Sequence, residues 1–220
     1  MPSDVLVVYK KNFEEVHDKA LAAVRDALDE LVRDRGTAIS YKARETVSRE
    51  DFVGRDLVII LGGDGTLTSI AHSIDSDTPV MGVNSHPQDD DEDGSYGFYM
   101  GSDTKHFAED VRSALDGTGI VNVLPRLQAE IVTTSGKTVL SDPALNDLII
   151  ANTHQYQPSI YKLERGADGG HGNIDTVQRS SGCLFSTFLG QGAWFRHVVN
   201  IEGATFPMDE VNERYLFASR

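Results

Sequence analysis

The sequence predicts an α/β domain followed by a β-rich one, and three observations carry that prediction. Over the first half, β-branched runs alternate with stretches of helical apolar spacing, at lengths that suit β-α-β units. One apolar run, Leu57-Val58-Ile59-Ile60-Leu61, stops abruptly at Gly62-Gly63-Asp64-Gly65-Thr66 before helical spacing resumes at Leu67, Ile70, Ala71 and Ile74. From about residue 118 the helical period gives way to short β-rich runs parted by glycine and proline. These features predict a doubly wound parallel sheet over residues 1–117 and an antiparallel β-rich domain over residues 118–220.

Taken in order, Asp4 to Tyr9 is β-branched and predicts the first strand. Asn12 is placed to cap a helix whose apolar face runs through Phe13, Val16, Ala20, Ala23, Val24, Ala27, Leu28, Leu31 and Val32, with Gly36 as its stop. Thr37 to Tyr41 predicts a second strand, and the polar stretch Glu45 to Arg55 a short helix and a loop. The central strand, its glycine turn, a helix from about Thr66 to Ile74 and a strand at Pro79 to Val83 follow. Asn84 to Gly94 is a polar loop with the acidic run Asp89 to Asp93, and Asp103 to Leu115 has a helical pattern. The second half predicts strands at Val121 to Val123, Leu127 to Thr133, Thr138 to Leu140, Asp147 to Ala151, Ser159 to Leu163, Thr176 to Val177 and Leu184 to Thr187. A last strand without an exit, Arg214 to Arg220, gives the expectation of a domain truncated at its C-terminus.

Composition narrows the function classes. The chain has 220 residues, 40% of them apolar, enough for a substantial core. It contains no run of 18 apolar residues, and Met1-Pro2-Ser3-Asp4 lacks a basic flank and an apolar signal core. One cysteine, Cys183, rules out an internal disulfide and reads as a small buried hydrophobe; a cytoplasmic location is expected. With 34 acidic and 20 basic residues the net charge is -14, a field that disfavours nucleic acid and anionic membrane as partners. Salt-adapted proteins and ordinary acidic ones share such a balance.

The glycine turn carries the chemistry. Glycines at the carboxyl end of a strand let main-chain amides approach phosphate oxygens. Phosphoryl transfer requires positioning and charge neutralisation more than covalent help. Asp64 is suited to take a proton from an attacking hydroxyl or to hold Mg²⁺, and Thr66 to donate to a phosphate oxygen. The spacing of a Walker-type loop is absent.

Gly62-Gly63-Asp64-Gly65-Thr66 followed by Pro79-Val80-Met81-Gly82-Val83-Asn84 resembles the NAD kinase family. Two later segments agree with it. Ala144-Leu145-Asn146-Asp147 is similar to the family's Asn-Glu motif, with an aspartate one methylene shorter. Ser186-Thr187-Phe188-Leu189-Gly190-Gln191-Gly192-Ala193-Trp194 is similar to its Ser-Thr-Pro-Thr-Gly-Ser-Thr-Ala-Tyr stretch, keeping Ser186, Thr187, Gly190 and Ala193. Ser180-Ser181-Gly182 with Gly190 and Ala193-Trp194 looks closer to the divergent, mitochondrial-type branch. The first motif is shared with diacylglycerol-type lipid kinases and 6-phosphofructokinases, and the ordered set of three favours NAD kinase.

The resemblance implies a Rossmann-like domain joined to a β-sandwich-like one, usually in homo-oligomers such as a homodimer or homotetramer. It implies transfer of phosphate from ATP, with Mg²⁺, to the adenosine ribose 2′-hydroxyl of NAD or NADH. Asp64 would be the proton acceptor, with Gly62, Gly63, Gly65, Thr66 and Asn84 around the nucleotide. Asn146 and Asp147 would hydrogen-bond the dinucleotide. Thr187, Gly190, Gly192, Ala193 and Trp194 would form a wall at its nicotinamide or adenine end, with Trp194 stacking on a base. Leu189, Gln191 and Gly192 stand where the family has hydroxyl residues. A lipid or sugar kinase with the same loop, or a non-catalytic dinucleotide-binding regulator, are the rival readings. His86, His197, Lys162, Arg179 and the Gly169 to Asn173 turn are weaker candidates, each with an ordinary surface or turn role as the alternative.

Overall fold

The computed structural model describes residues 3–11, 15–89, 92–154, 156–164, 174–199 and 215–219. Asn12 and Phe13, Asp90 and Asp91 of the acidic run, the glycine-rich stretch 166–173, and Arg214 and Arg220 at the ends of the last predicted strand lie outside the described residues. The chain divides into two compact units, Met1–Val123 and Leu124–Arg220.

The first unit runs β1 (Asp4–Tyr9), α1 (Glu15–Arg35), β2 (Ala38–Ala43), α2 (Arg49–Phe52), β3 (Leu57–Gly62), α3 (Asp64–Ile70), β4 (Val80–Asn84), β5 (Ser102–Asp103) and α4 (Phe107–Leu115). All five strands pair in parallel, in the order β2-β1-β3-β4-β5. The chain steps from β1 outward to β2, returns to lay β3 on the other side of β1, and continues to β5. The order therefore reverses between β1 and β3, and in open sheets ligands bind beyond the carboxyl ends of the strands at such a point.

Burial explains the architecture. Every residue of β3 is buried, as expected of a central strand covered on both faces. Val5, Val7, Leu57, Ile59 and Leu61 share a core with Ala20, Val24, Leu28 and Leu31 of α1 and Phe107 and Val111 of α4. The alternate residues Leu6, Val8, Val58 and Ile60 are equally buried on the opposite face. Acidic residues in the first turn of α1 and Arg33 and Arg35 in its last complement the helix dipole. Of the described residues of the predicted α1 face, Ala23 and Val32 are exposed, Val32 to 41%, because they fall beyond the stripe that meets the sheet.

Several boundaries in this unit differ from expectation, among them β2, which runs Ala38–Ala43 rather than Thr37 to Tyr41. α3 begins at Asp64 rather than Thr66 and ends at Ile70, passing into a single 3-10 turn over Ala71–Ser73. The strand after it is shifted by one residue, to Val80–Asn84, because Asn84 pairs with Gly62. Ser102 and Asp103 form a two-residue edge strand, too short to leave any periodic signal, and the helix that follows starts only at Phe107.

The second unit contains β6 (Glu130–Val132), β7 (Thr138–Leu140), β8 (Asp147–Ile150), β9 (Ser159–Leu163), β10 (Ile174–Ser180), β11 (Cys183–Ser186), α5 (Trp194–Val199) and β12 (Leu216–Ser219). All pairings are antiparallel: β6 with β7, β9 with β10, and a three-stranded sheet β12-β11-β8. Leu184, Ala218 and Phe195 form its core, joined by Val198 and Leu216. Cys183 is buried, as expected. The strand expected at Val121 to Val123 is not formed. Those residues find no neighbouring strand, and Val121 and Val123 are 84% and 87% exposed. The short helix α5 had no sequence expectation.

Candidate active site

The predicted residues fall into two groups, one in each unit. In the first unit Gly62 ends β3 and Gly63 caps α3, so Asp64 occupies the first position of the helix. The Gly63 carbonyl accepts the Thr66 N–H at 2.8 Å. Thr66 is buried and its side chain lies over Gly62, where a Cβ would come within 2.7 Å of Thr66 Cβ. The Thr66 side chain thus packs the turn from inside, while Gly65 is exposed, with nothing within 4 Å of a Cβ placed there.

The Asp64 carboxylate is half-buried and oriented by a second loop. Oδ1 accepts the Tyr99 N–H at 2.7 Å and Oδ2 the Phe98 N–H at 3.0 Å. The Asp64 N–H donates to Ser95 Oγ at 3.3 Å, and Gly63 lies so close to Ser95 that a Cβ on it would be 2.7 Å from Ser95 Cβ. One carboxylate is therefore fixed by the main chain of one loop, through two adjacent residues 34 and 35 positions further along the sequence.

Asn84 anchors that second loop. It is buried, its Nδ2 donates to the Ser95 carbonyl at 3.1 Å, and its Oδ1 accepts the His86 N–H at 3.1 Å. The Ser85 N–H donates to the Gly62 carbonyl at 3.1 Å, tying the end of β4 to the start of the glycine turn. Ser85 Oγ lies 2.7 Å from Nδ1 of the buried His17 on α1, and the His86 ring stands edge-on to His17. Gly97 has φ +72 and lies against Asn84 Nδ2, a conformation and a clearance that a side chain would deny it. Phe98 and Tyr96 are exposed beside the turn.

In the second unit the two later motifs meet. Asp147 of β8 pairs with Ser186 of β11. The Thr187 N–H donates to the Asn146 carbonyl at 2.9 Å, Thr187 Oγ1 donates to the Leu145 carbonyl at 2.8 Å, and the Gly190 N–H donates to Thr187 Oγ1 at 3.0 Å. A Cβ on Gly190 would lie 2.5 Å from Ser186 Oγ, so only glycine lets this turn close. The Ala193 N–H reaches the Gly190 carbonyl at 2.9 Å and leads into α5, whose first residue, Trp194, is 41% exposed. Gly192 is exposed.

Burial holds the Asp147 carboxyl above the ordinary carboxylate range, against the opposing pull of the Ser186 side chain and the Trp194 main-chain N–H. Its Oδ1 is buried with no hydrogen-bond partner among the described residues.

Ser95, Phe98 and Tyr99 were not anticipated. The only trace in the sequence is the pair Gly94 and Gly97 interleaved with Ser95, Tyr96 and Phe98, a turn signal separated from the first motif by the acidic run. Lys10 and Lys11 follow β1 at the same carboxyl edge of the sheet, with the Lys10 N–H on the Leu61 carbonyl at 3.2 Å; strand order, not composition, identifies them. The earlier candidates Lys162 and Arg179 are exposed on β9 and β10.

The model of the ATP-NAD kinase N-terminal domain matches residues 7–114. A "Probable NADH kinase" of Oryza sativa subsp. japonica is 29% identical over 148 residues, 63% of this chain and 44% of the relative. An NAD kinase of Citrifermentans bemidjiense is 32% identical over 151 residues, 63% of this chain and 49% of the relative. The chain thus spans about half the length of these curated relatives. The crystal structure of an NAD kinase from Archaeoglobus fulgidus in complex with ATP shares the fold, with a TM-score of 0.60 at 18% identity over 89% of this chain and 65% of that one. No described helix is long and apolar enough to cross a membrane. With the glycine turn inside the matched segment and the two later motifs in their order behind it, the chain resembles the NAD kinase family.

Proposed function

We propose that the protein transfers the terminal phosphate of ATP to the 2′-hydroxyl of the adenosine ribose of NAD or NADH, giving NADP or NADPH. The observation that carries this reading is Asp64. Its carboxylate stands at the carboxyl end of the central strand, where the strand order reverses, with glycine main chain on either side. Its two oxygens each accept one main-chain N–H, and a carboxylate has further lone pairs for a substrate hydroxyl. Asp64 takes the hydroxyl proton as the ribose oxygen bonds to the γ-phosphorus and the bond to the bridging oxygen breaks, releasing ADP. Gly62, Gly63, Gly65 and Thr66 provide the close turn for phosphate, with Asn84 shaping its border. Asn146, Asp147, Thr187, Gly190, Gly192, Ala193 and Trp194 recognise the dinucleotide. The ATP-bound archaeal structure and the rice relative's name support the choice of donor and acceptor.

No group of three or more His, Cys, Asp or Glu among the described residues forms a cage for a metal ion. Mg²⁺ would therefore arrive with the triphosphate, held mainly by phosphates and water. A homodimer or homotetramer in the cytoplasm completes the proposal, and sedimentation tests the assembly.

The test is formation of NADP from NAD, ATP and Mg²⁺. Asp64→Asn should lower kcat by about 10²–10⁴-fold. Its amide turns an NH₂ towards one of the Phe98 and Tyr99 N–H groups, so the thermal midpoint should fall somewhat and kcat is compared per folded molecule. Full activity in Asp64→Asn rules out the assigned base. One observation favours a second reading, a non-catalytic dinucleotide-binding regulator: both Asp64 oxygens already hold a loop in place. Dinucleotide binding by calorimetry with no NADP formed selects that reading.

A further inference from the structure

The geometry points to Ser95 as a positioning residue for Asp64, acting through the main chain on both sides of the carboxylate. This rests on the reading of Asp64 as the proton acceptor. Ser95 makes an unusual set of contacts for a residue in a surface loop. Its Oγ accepts the N–H of Asp64 and the N–H of Gly97, each at 3.3 Å. Its N–H donates to the His86 carbonyl at 2.7 Å, and its carbonyl accepts the Gln88 N–H at 3.0 Å and Asn84 Nδ2 at 3.1 Å. Its side chain fills the space left by the missing Cβ of Gly63.

Three segments are fixed to one another by these bonds: the glycine turn, the end of β4 and the loop 95–99. Phe98 and Tyr99, which grip the carboxylate, come three and four residues after Ser95 on the same loop. The Gly97 N–H that Ser95 holds is the link immediately before them. The hydroxyl therefore sets two things together, the position of the Asp64 main chain and the position of the donors that aim its carboxylate. A main-chain amide at 3.3 Å to a neutral hydroxyl is a modest bond. Its importance lies in orientation, because a base displaced by a fraction of an ångström loses its alignment with the attacking hydroxyl.

A structural role for Ser95 alone would lower stability and leave turnover per folded molecule unchanged. A positioning role separates kcat from KM, since the Ser95 side chain is assigned no contact with either substrate. The experiment measures steady-state kinetics of NADP formation for the full chain and for Ser95→Ala and Ser95→Cys, together with amide hydrogen exchange at Asp64, Phe98 and Tyr99. The cysteine keeps the side chain's shape and offers a weaker acceptor, so it remains informative if the alanine variant does not fold.

Loss of one such bond predicts a kcat lower by about tenfold in Ser95→Ala and by less in Ser95→Cys, with KM for ATP and NAD altered by less than about twofold. Exchange at Asp64, Phe98 and Tyr99 should quicken by about tenfold in Ser95→Ala while that of β1 and β3 is unchanged. Wild-type kcat in both variants, a loss confined to KM, or unaltered exchange at the three amides overturns the proposal. If the parent chain makes no NADP, the kinase reading fails by itself, and the exchange measurement still decides whether Ser95 orders the Asp64 turn.

Discussion

At the residue scale, two glycines of the motifs separate packing from ligand approach. Gly190 sits against Ser186 Oγ and the Asn146 main chain, so Gly190→Ala forces the turn open and should cost about 1–3 kcal/mol in chemical denaturation. Gly65 has open space around it and lies in the first turn of α3, so Gly65→Ala should keep or slightly raise stability, by up to about 1 kcal/mol. If the nucleotide approaches that main chain as proposed, the same substitution raises KM for ATP or NAD; an unchanged KM places the ligand elsewhere. Asp147 makes a pH prediction. Its folded value is raised by burial, so the folded protein holds the proton more tightly than the unfolded chain. The resulting contribution is fully present below the ordinary carboxylate value and is lost as pH rises through the raised one. Asp147→Asn removes this dependence, so it should gain thermal stability relative to the parent at neutral pH and lose that advantage in acid. Thermal midpoints of both proteins between about pH 3 and about pH 8 span the window. A constant difference across it means the carboxyl is not destabilised by burial.

At the scale of elements, α1 is the test of how the core was inferred. Leu28 is fully buried between the sheet and α4, whereas Val32, one turn later, is largely at the surface. Leu28→Ala should cost about 2–5 kcal/mol in urea unfolding and Val32→Ala less than about 0.5 kcal/mol. Equal effects would mean that the helix does not present the face the structure shows. Long periodic elements such as α1 and β3 are legible because burial repeats along them. β5 and α5 are not, since two and six residues hold too little periodicity. The strand expected at Val121 to Val123 failed for the converse reason: β-branched residues favour extended backbone, but a strand exists only where a neighbour supplies hydrogen bonds.

For the molecule as a whole, the excess of acid decides behaviour in salt. A net charge of -14 repels itself in the folded state more than in the expanded one. Raising ionic strength from about 0.1 M to about 1 M shortens the screening length from about 10 Å to about 3 Å, so the thermal midpoint should rise across that range. A flat or falling midpoint means local pairs such as Arg35 with Asp116 and Arg112 with Glu30 already balance the field. The sequence by itself determined the alternation of strand and helix, the change of texture in the second half, and the three motifs, because each is written in neighbouring residues. Only the tertiary structure decided that β3 lies beside β1 at the reversal of strand order and that Ser95, Phe98 and Tyr99 orient Asp64. It also decided that Asp147 is half-buried beside Ser186. Those relations are main-chain contacts between residues tens of positions apart, and a main-chain N–H leaves no mark in the identity of the residue that donates it.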